Sequence, residues 1–220
     1  MKSSRALRFT ALAALGAALL VGGGCLDMFV PKIHVLVDAI SVPGGVKPSG
    51  KSYKLVARRS VVVNQQQVNV SVVSLCLKAA LNLQGMFEAP EKVAPDYFVE
   101  VTYGTDPAAR TDPMGRESFL ELSARANTDR AVDRAHGSEV WNVRTSIRGL
   151  TGRFEDAMPV LSTMAATYAG TDTHMEVPVD VPQNSPVVAS VRDTANKEII
   201  AHEPGAGPSA PAAAAGPGVK

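Results

Sequence analysis

The sequence predicts an α/β domain of the α+β type: a two-layer sandwich in which a mostly antiparallel sheet carries two helices on one face. Short segments with alternating apolar residues recur along the chain and are separated by Gly- and Pro-rich turns. Two longer segments repeat apolar residues at spacings of three and four, which is the period of a helix. Because each element is apolar on one side, helices and sheet are expected to cover each other.

Six segments with alternating apolar side chains are predicted as strands. They are Ile33–Val37, Tyr53–Val56, Tyr97–Tyr103, Leu120–Ala124, Trp141–Ile147 and Met175–Val181. The third has apolar residues on both faces and is expected inside the sheet. Pro178 has no amide hydrogen to donate, so the sixth is expected at an edge. A hairpin of Val187–Val191 and Glu198–Ala201 is expected to follow.

The first predicted helix covers residues 68–84. Its apolar residues fall on one stripe, formed by Val68, Val72, Leu75, Ala79 and Leu83. Asn64 or Asn69 could cap its start, and Gly85 stands where a left-handed C-terminal cap is wanted.

The second predicted helix begins near Phe154 and ends near Tyr168. Its stripe consists of Phe154, Ala157, Met158, Leu161, Ala165 and Tyr168. Glu155 and Asp156 lie in the first turns, where the helix dipole favours acidic side chains. Pro159 removes one backbone hydrogen bond, so the helix is expected to bend there.

The N-terminus has the pattern of a secretion signal. Lys2, Arg5 and Arg8 precede a run of thirteen mostly apolar residues, Phe9–Val21, which ends at three glycines. A membrane-spanning helix needs about 20 apolar residues, and this run is shorter. The segment therefore predicts export rather than permanent membrane insertion.

The stretch Leu20–Cys25 resembles the lipobox of bacterial lipoproteins. Small residues occupy the two positions before Cys25, as in the family; Gly22 stands where the family usually has a branched residue, with Val21 one place earlier. The resemblance implies that Cys25 is lipidated, and two or three acyl chains give stable membrane attachment. Leu26, rather than Asp, follows the cysteine, which implies the periplasmic face of the outer membrane. The alternative is cleavage by the ordinary signal peptidase, with Cys25 unmodified.

Composition divides the chain into four parts. We expect a signal peptide over residues 1–24, a lipidated tether over 25–31, one α/β domain over 32–201 and a disordered tail over 202–220, which is rich in Ala, Pro and Gly. Removing the leader and its three basic residues leaves 19 basic against 21 acidic side chains. A chain this close to neutral lacks the basic surface of a nucleic-acid binder, so no nucleic-acid partner is expected.

Part of the chain also resembles a family of uncharacterised Gram-negative lipoprotein domains of unknown function. The resemblance covers roughly residues 50–170, and the segments that carry it are Ser52–Leu55, Leu83–Phe87, Pro95–Gly104, Glu139–Val143 and Met158–Pro159. It implies an α/β domain that faces the cell envelope. It supplies neither an activity nor catalytic residues.

No motif in the sequence indicates a catalytic, metal or cofactor site. A Gly-x-Ser-x-Gly motif is absent, and Gly-x-Gly occurs only in the leader and in the tail, as at residues 205–207. His34, His136, His174 and His202 lack the spacing that would bring two of them to one metal ion. The acid pair Glu117 and Glu121 is expected on a solvated strand face.

Trp141 is the single candidate ligand contact. A lone Trp on a predicted strand usually packs in the core, and this is the favoured interpretation; it could also line a groove for a sugar or a peptide.

The sequence therefore predicts a membrane-tethered envelope lipoprotein whose domain is not catalytic and serves binding or structure. Its expected partners are the membrane, through the anchor, and an envelope protein or peptidoglycan. One alternative is an envelope hydrolase whose site is assembled only in three dimensions. Another is a structural subunit that pairs through an exposed sheet edge.

Overall fold

A computed structural model describes residues 30–43, 47–57, 68–106, 117–134, 136–150 and 152–202. Within these ranges the chain forms a seven-stranded sheet and three helices, so the α+β class is confirmed. The strands are β1 (Lys32–Ser41), β2 (Ser52–Ala57), β3 (Phe87–Glu88), β4 (Tyr97–Asp106), β5 (Glu117–Ala126), β6 (Glu139–Arg148) and β7 (Val177–Pro182). The helices are α1 (Val70–Leu83), α2 (Phe154–Thr167) and α3 (Pro186–His202).

The strands lie in the order β3-β2-β4-β5-β6-β1-β7. The sheet is mostly antiparallel, as predicted, but β2 runs parallel to β3 and to β4. The parallel β2–β4 pair is joined through α1, because a crossover between parallel strands needs a long connection. The interior position of β4 and the edge position of β7 confirm the predictions made from their sequences.

One face of the sheet is covered by helices and the other carries charged side chains. On the covered face, Leu122 of β5 pairs with Val143 of β6, and both are fully buried. Directly beside them on the opposite face, Glu121 pairs with Arg144. This alternation is the two-residue period of a strand with one buried face.

Helix α1 covers Val70–Leu83, close to the predicted 68–84, and of the two candidate caps, Asn64 and Asn69, the structure uses Asn69. Asn69 caps its start by accepting a hydrogen bond from the Ser71 N–H (3.0 Å), and Gly85 follows its end with a φ of +80°. Its buried face differs from the predicted stripe: Val73 and Leu77 are buried, whereas Leu83 is 52% exposed. The cause is tertiary, because α1 packs on the sheet and also against both other helices.

Helix α2 runs without interruption through Pro159. All its residues from Ala157 to Ala166 are buried, so its buried surface is wider than one stripe. The hydroxyl of Thr163 donates to the Pro159 carbonyl oxygen (2.6 Å), four residues earlier. The bend expected at Pro159 stays a prediction.

The expected C-terminal hairpin is wrong, because residues 186–202 form helix α3. Pro186 occupies the first helical position, where its missing N–H costs nothing, and the Ala189 N–H donates to the Ser185 carbonyl (3.0 Å). Val188, Val191 and Ala195 are buried at spacings of three and four, and the helix packs on α1 and α2. The described chain therefore has three helices where two were expected.

The leader and Cys25 lie outside the described residues, as do the tail from residue 203 and most of the expected tether. In the ranges given above, no helix has the length and apolar character needed to cross a membrane.

Candidate functional site

The structure places Trp141 in the hydrophobic core, where it is 3% exposed. Its backbone pairs with Ala124 of β5 and with Ser41 of β1, on the face that the helices cover. The indole N–H has no hydrogen-bond partner among the described residues. This position agrees with the packing role favoured from sequence.

The acid pair Glu117 and Glu121 lies on the open face of the sheet, as predicted, among basic side chains. Arg144 approaches Glu117 (3.7 Å) and Glu121 (3.9 Å), and Arg148 also approaches Glu117 (3.7 Å). The Arg144 guanidinium lies 4.2 Å from the centre of the Phe119 ring. These acids therefore serve as the acidic members of a cross-strand charge ladder.

His34 and His174 each lie beside an aspartate rather than beside another histidine. His34 contacts Asp180 (2.6 Å), its partner across the β1–β7 pair, and His174 lies 3.1 Å from Asp172. In the part of the chain that the structure describes, no three His, Cys, Asp or Glu residues come together in a way that could hold a metal ion.

Asp96 joins the starts of β2 and β4, a role that sequence analysis missed. Its carboxylate accepts hydrogen bonds from the Ser52 N–H and the Ser52 hydroxyl, both at 2.9 Å. The backbone N–H bond of Ser52, together with its hydroxyl and the nearby Lys51, lowers the pKa of Asp96 from the ordinary 3.8. The sequence shows Asp96 immediately before a buried strand. Its hydrogen-bond partner Ser52 is 44 residues away, so no local pattern connects the two.

Glu155 links the starts of α1 and α2 in a similar way. Its carboxylate accepts the Asn69 N–H (3.2 Å) and lies 3.4 Å from the Arg153 guanidinium. Partial burial opposes ionisation, but the N–H groups of Glu155 itself and Asn69, with Arg153, outweigh it and lower the pKa from 4.5. The sequence predicted that the dipole of α2 favours this acid. In the structure the same carboxylate also lies at the start of α1, where it accepts the Asn69 N–H.

We expect Glu155→Gln to lower the free energy of unfolding by about 1–2 kcal/mol at pH 7, because a charge-assisted bond and the favourable charge at two helix starts are lost. Urea unfolding followed by circular dichroism measures the loss. Since the folded pKa is lowered, the contribution is present above the unfolded pKa and disappears as the pH falls through the folded one. The exposed Glu91→Gln serves as the control; an equal loss there would contradict the assignment.

A cavity of about 450 Å³ lies at the junction of the three helices. Residues from α1, the start of α2 and one face of α3 line it: Val72, Cys76, Arg153, Glu155, Asp156, Pro159, Arg192, Ala195, Asn196 and Ile199. Cys76 is 1% exposed, and burial raises the pKa of its thiol from 9.0 to about 11, although Arg192 acts in the opposite direction. At neutral pH this thiol is protonated and is therefore a poor nucleophile.

A smaller apolar groove of about 150 Å³ lies beside the end of β2, between the sheet and α1. Its walls include Ala57 and Val101 of the sheet and Val70 and Val73 of α1. It contains few polar groups, so it offers little that would orient a ligand.

No family model matches the chain, and no curated protein matches it. Solved structures with a similar backbone include a PDZ domain protein from Parabacteroides distasonis, at 13% identity and a TM-score of 0.48, where the match covers 71% of this chain and 41% of that one. Another is the PelC dodecamer from Paraburkholderia phytofirmans, at 10% identity and a TM-score of 0.41, covering 63% and 99%. The chain thus spans less than half of the first of these proteins.

Proposed function

We propose that this protein is a lipid-anchored component of the bacterial cell envelope, held at the periplasmic face of the outer membrane, and that its α+β domain binds a ligand or partner without catalysis. The observation that carries the proposal is the leader that ends in a lipobox-like stretch at Cys25. Acylation of that cysteine is the simplest reason for a thiol at the end of such a leader.

The two acids with shifted pKa values, Asp96 and Glu155, are not poised for acid-base catalysis at neutral pH. A general acid or base works best with a pKa near the operating pH. The pKa values of Asp96 and Glu155 are shifted down, away from neutrality, by hydrogen bonds that hold the fold together. The alternative of an envelope hydrolase receives no comparable support from these two groups or from the protonated thiol of Cys76.

The edge strand β7 argues against assembly by strand pairing at that edge. A proline in a strand is accommodated only where the missing N–H would face away from the neighbouring strand. Pro178 and Pro182 therefore remove two of the outward donors of β7, on either side of Asp180. Prolines at an edge discourage the addition of another strand. The helix-junction cavity is the better candidate for recognition.

The anchor is tested by detergent-phase partitioning of native protein. We expect wild-type protein in the detergent phase and Cys25→Ser in the aqueous phase, because two or three acyl chains are lost with the sulfur. Cys76→Ala is the matched control, since it removes the other cysteine and should leave partitioning unchanged. Wild-type protein in the aqueous phase, with an intact mass showing an unmodified Cys25, would contradict the proposal.

A further inference from the structure

We propose that the helix-junction cavity binds a small ligand with one anionic group and an apolar part, of which a medium-chain carboxylate is the simplest example. The inference rests on the proposed binding function, for which it names a site and a ligand class, and it does not require the membrane anchor. The described residues that line this cavity all lie between Val72 and Ile199.

The anionic group is expected at Arg192. Its side chain lines the cavity from α3, and no described acidic side chain forms an ion pair with it. Asn196 lines the same cavity four residues later, which places both side chains on one face of the helix. A guanidinium can hold a carboxylate through two parallel hydrogen bonds, and the Asn196 amide can supply a further donor.

The two acids of the cavity already have donors within the protein. The Glu155 carboxylate accepts the Asn69 N–H and lies beside Arg153, whereas the Asp156 carboxylate accepts the Arg153 N–H at 3.2 Å. Their negative charges are therefore offset by Arg153 and by the starts of α1 and α2. Arg192 is the cation of this cavity that remains for a ligand.

The apolar part is expected deeper, between α1 and the other helices. Val72 and Cys76 of α1, Pro159 of α2 and Ala195 of α3 provide apolar wall surface. Cys76 and Ala195 are almost fully buried, so they mark the inner end of the cavity. Its volume of about 450 Å³ falls within the range of roughly 300–1,000 Å³ that is typical of small-molecule sites.

The test uses the full-length chain carrying Cys25→Ser, because no acyl group can then be attached there and enter the cavity. Calorimetric titration with octanoate is expected to show saturable binding to one site. Acetate lacks the apolar part and 1-octanol lacks the charge, so each is expected to bind at least about ten-fold more weakly.

Arg192→Gln, added to this chain, is expected to weaken octanoate binding by at least about ten-fold, and Arg192→Lys by less, because a point charge remains. Lys197→Gln, on the same helix but outside the cavity, is the matched control and should leave the affinity unchanged. Both Arg192 and Lys197 are exposed, so neither variant is expected to disturb folding.

Alkylation of Cys76 gives a second measurement that needs no change at Arg192. Cys76 is the only thiol left in the Cys25→Ser chain, and it lies at the inner end of the cavity. This thiol is buried and protonated at neutral pH, so its reaction with iodoacetamide is slow and has to be followed to long times. Saturating octanoate should slow the reaction further, whereas acetate at the same concentration should not. Absence of saturable octanoate binding, or equal affinities of Arg192→Gln and Lys197→Gln, would overturn the inference whatever the result of the partitioning experiment.

Discussion

Trp141→Ala is expected to lower the free energy of unfolding by about 3–5 kcal/mol, the range for removing a large aromatic side chain from a core. Trp141 is 3% exposed and lies among the buried residues between the sheet and the helices. Urea unfolding followed by circular dichroism measures the change. Trp141→Phe should cost clearly less, because most of the ring volume stays and the indole N–H has no partner among the described residues.

Ile40→Ala is the control for the Trp141 experiment. Ile40 is an apolar residue of the adjacent strand β1, but it is 60% exposed, so its loss should change stability by no more than about 0.5 kcal/mol. If Trp141→Ala were as mild as Ile40→Ala, the packing role of Trp141 would be wrong. Trp141 would then return as a candidate ligand contact.

Asp96→Ala is expected to lower the free energy of unfolding by about 2–3 kcal/mol at pH 7. The substitution removes the acceptor of two hydrogen bonds from Ser52, and it leaves the N–H of a residue that is 8% exposed without that partner. Asp96→Asn keeps an acceptor oxygen without the charge, so it should cost less. Thermal and urea unfolding of wild type, Asp96→Asn and Asp96→Ala give the order of their stabilities.

The pH dependence of the free energy of unfolding distinguishes the contribution of the Asp96 charge from that of its shape. Because the folded pKa of Asp96 is lowered, its ionised form stabilises the fold above the unfolded pKa, and this contribution is lost as the pH falls through the folded pKa. The stability difference between wild type and Asp96→Asn should therefore shrink on acidification. Asp193→Asn, an exposed acid on α3, is the control. A difference that stayed constant down to pH 2 would contradict the assignment.

The error at the C-terminus shows how local patterns mislead when a helix is stabilised mainly by its neighbours. Val187–Val191 is short and rich in β-branched residues, and residues 193–196 contain turn formers, so a hairpin was expected. A signal for the helix was present in Pro186 and in the spacing of Val188, Val191 and Ala195. These three residues needed the surface formed by α1 and α2 before their burial could favour a helix.

For the candidate site, too, the sequence predicted what depends on neighbouring residues and missed what depends on distant ones. The sequence indicated that Glu155 belongs in the first turn of a helix, since that preference depends only on the helix dipole. It gave no indication that Asn69 would donate to this carboxylate, because the two residues are 86 positions apart. The cavity was also hidden, since its walls come from three helices and one of them was predicted as strands.

By itself, the sequence determined the α+β class, six of the seven strands of the mostly antiparallel sheet, the glycine that ends α1 and the edge position of β7; the two-residue strand β3 was not predicted. These features depend on local periods, caps and prolines, which act over a few neighbouring residues. The tertiary structure alone decided which face of α1 is buried, that residues 186–202 form a helix, and which side chains meet at the helix junction. Those outcomes depend on burial against segments distant in the chain, and no local pattern carries that information.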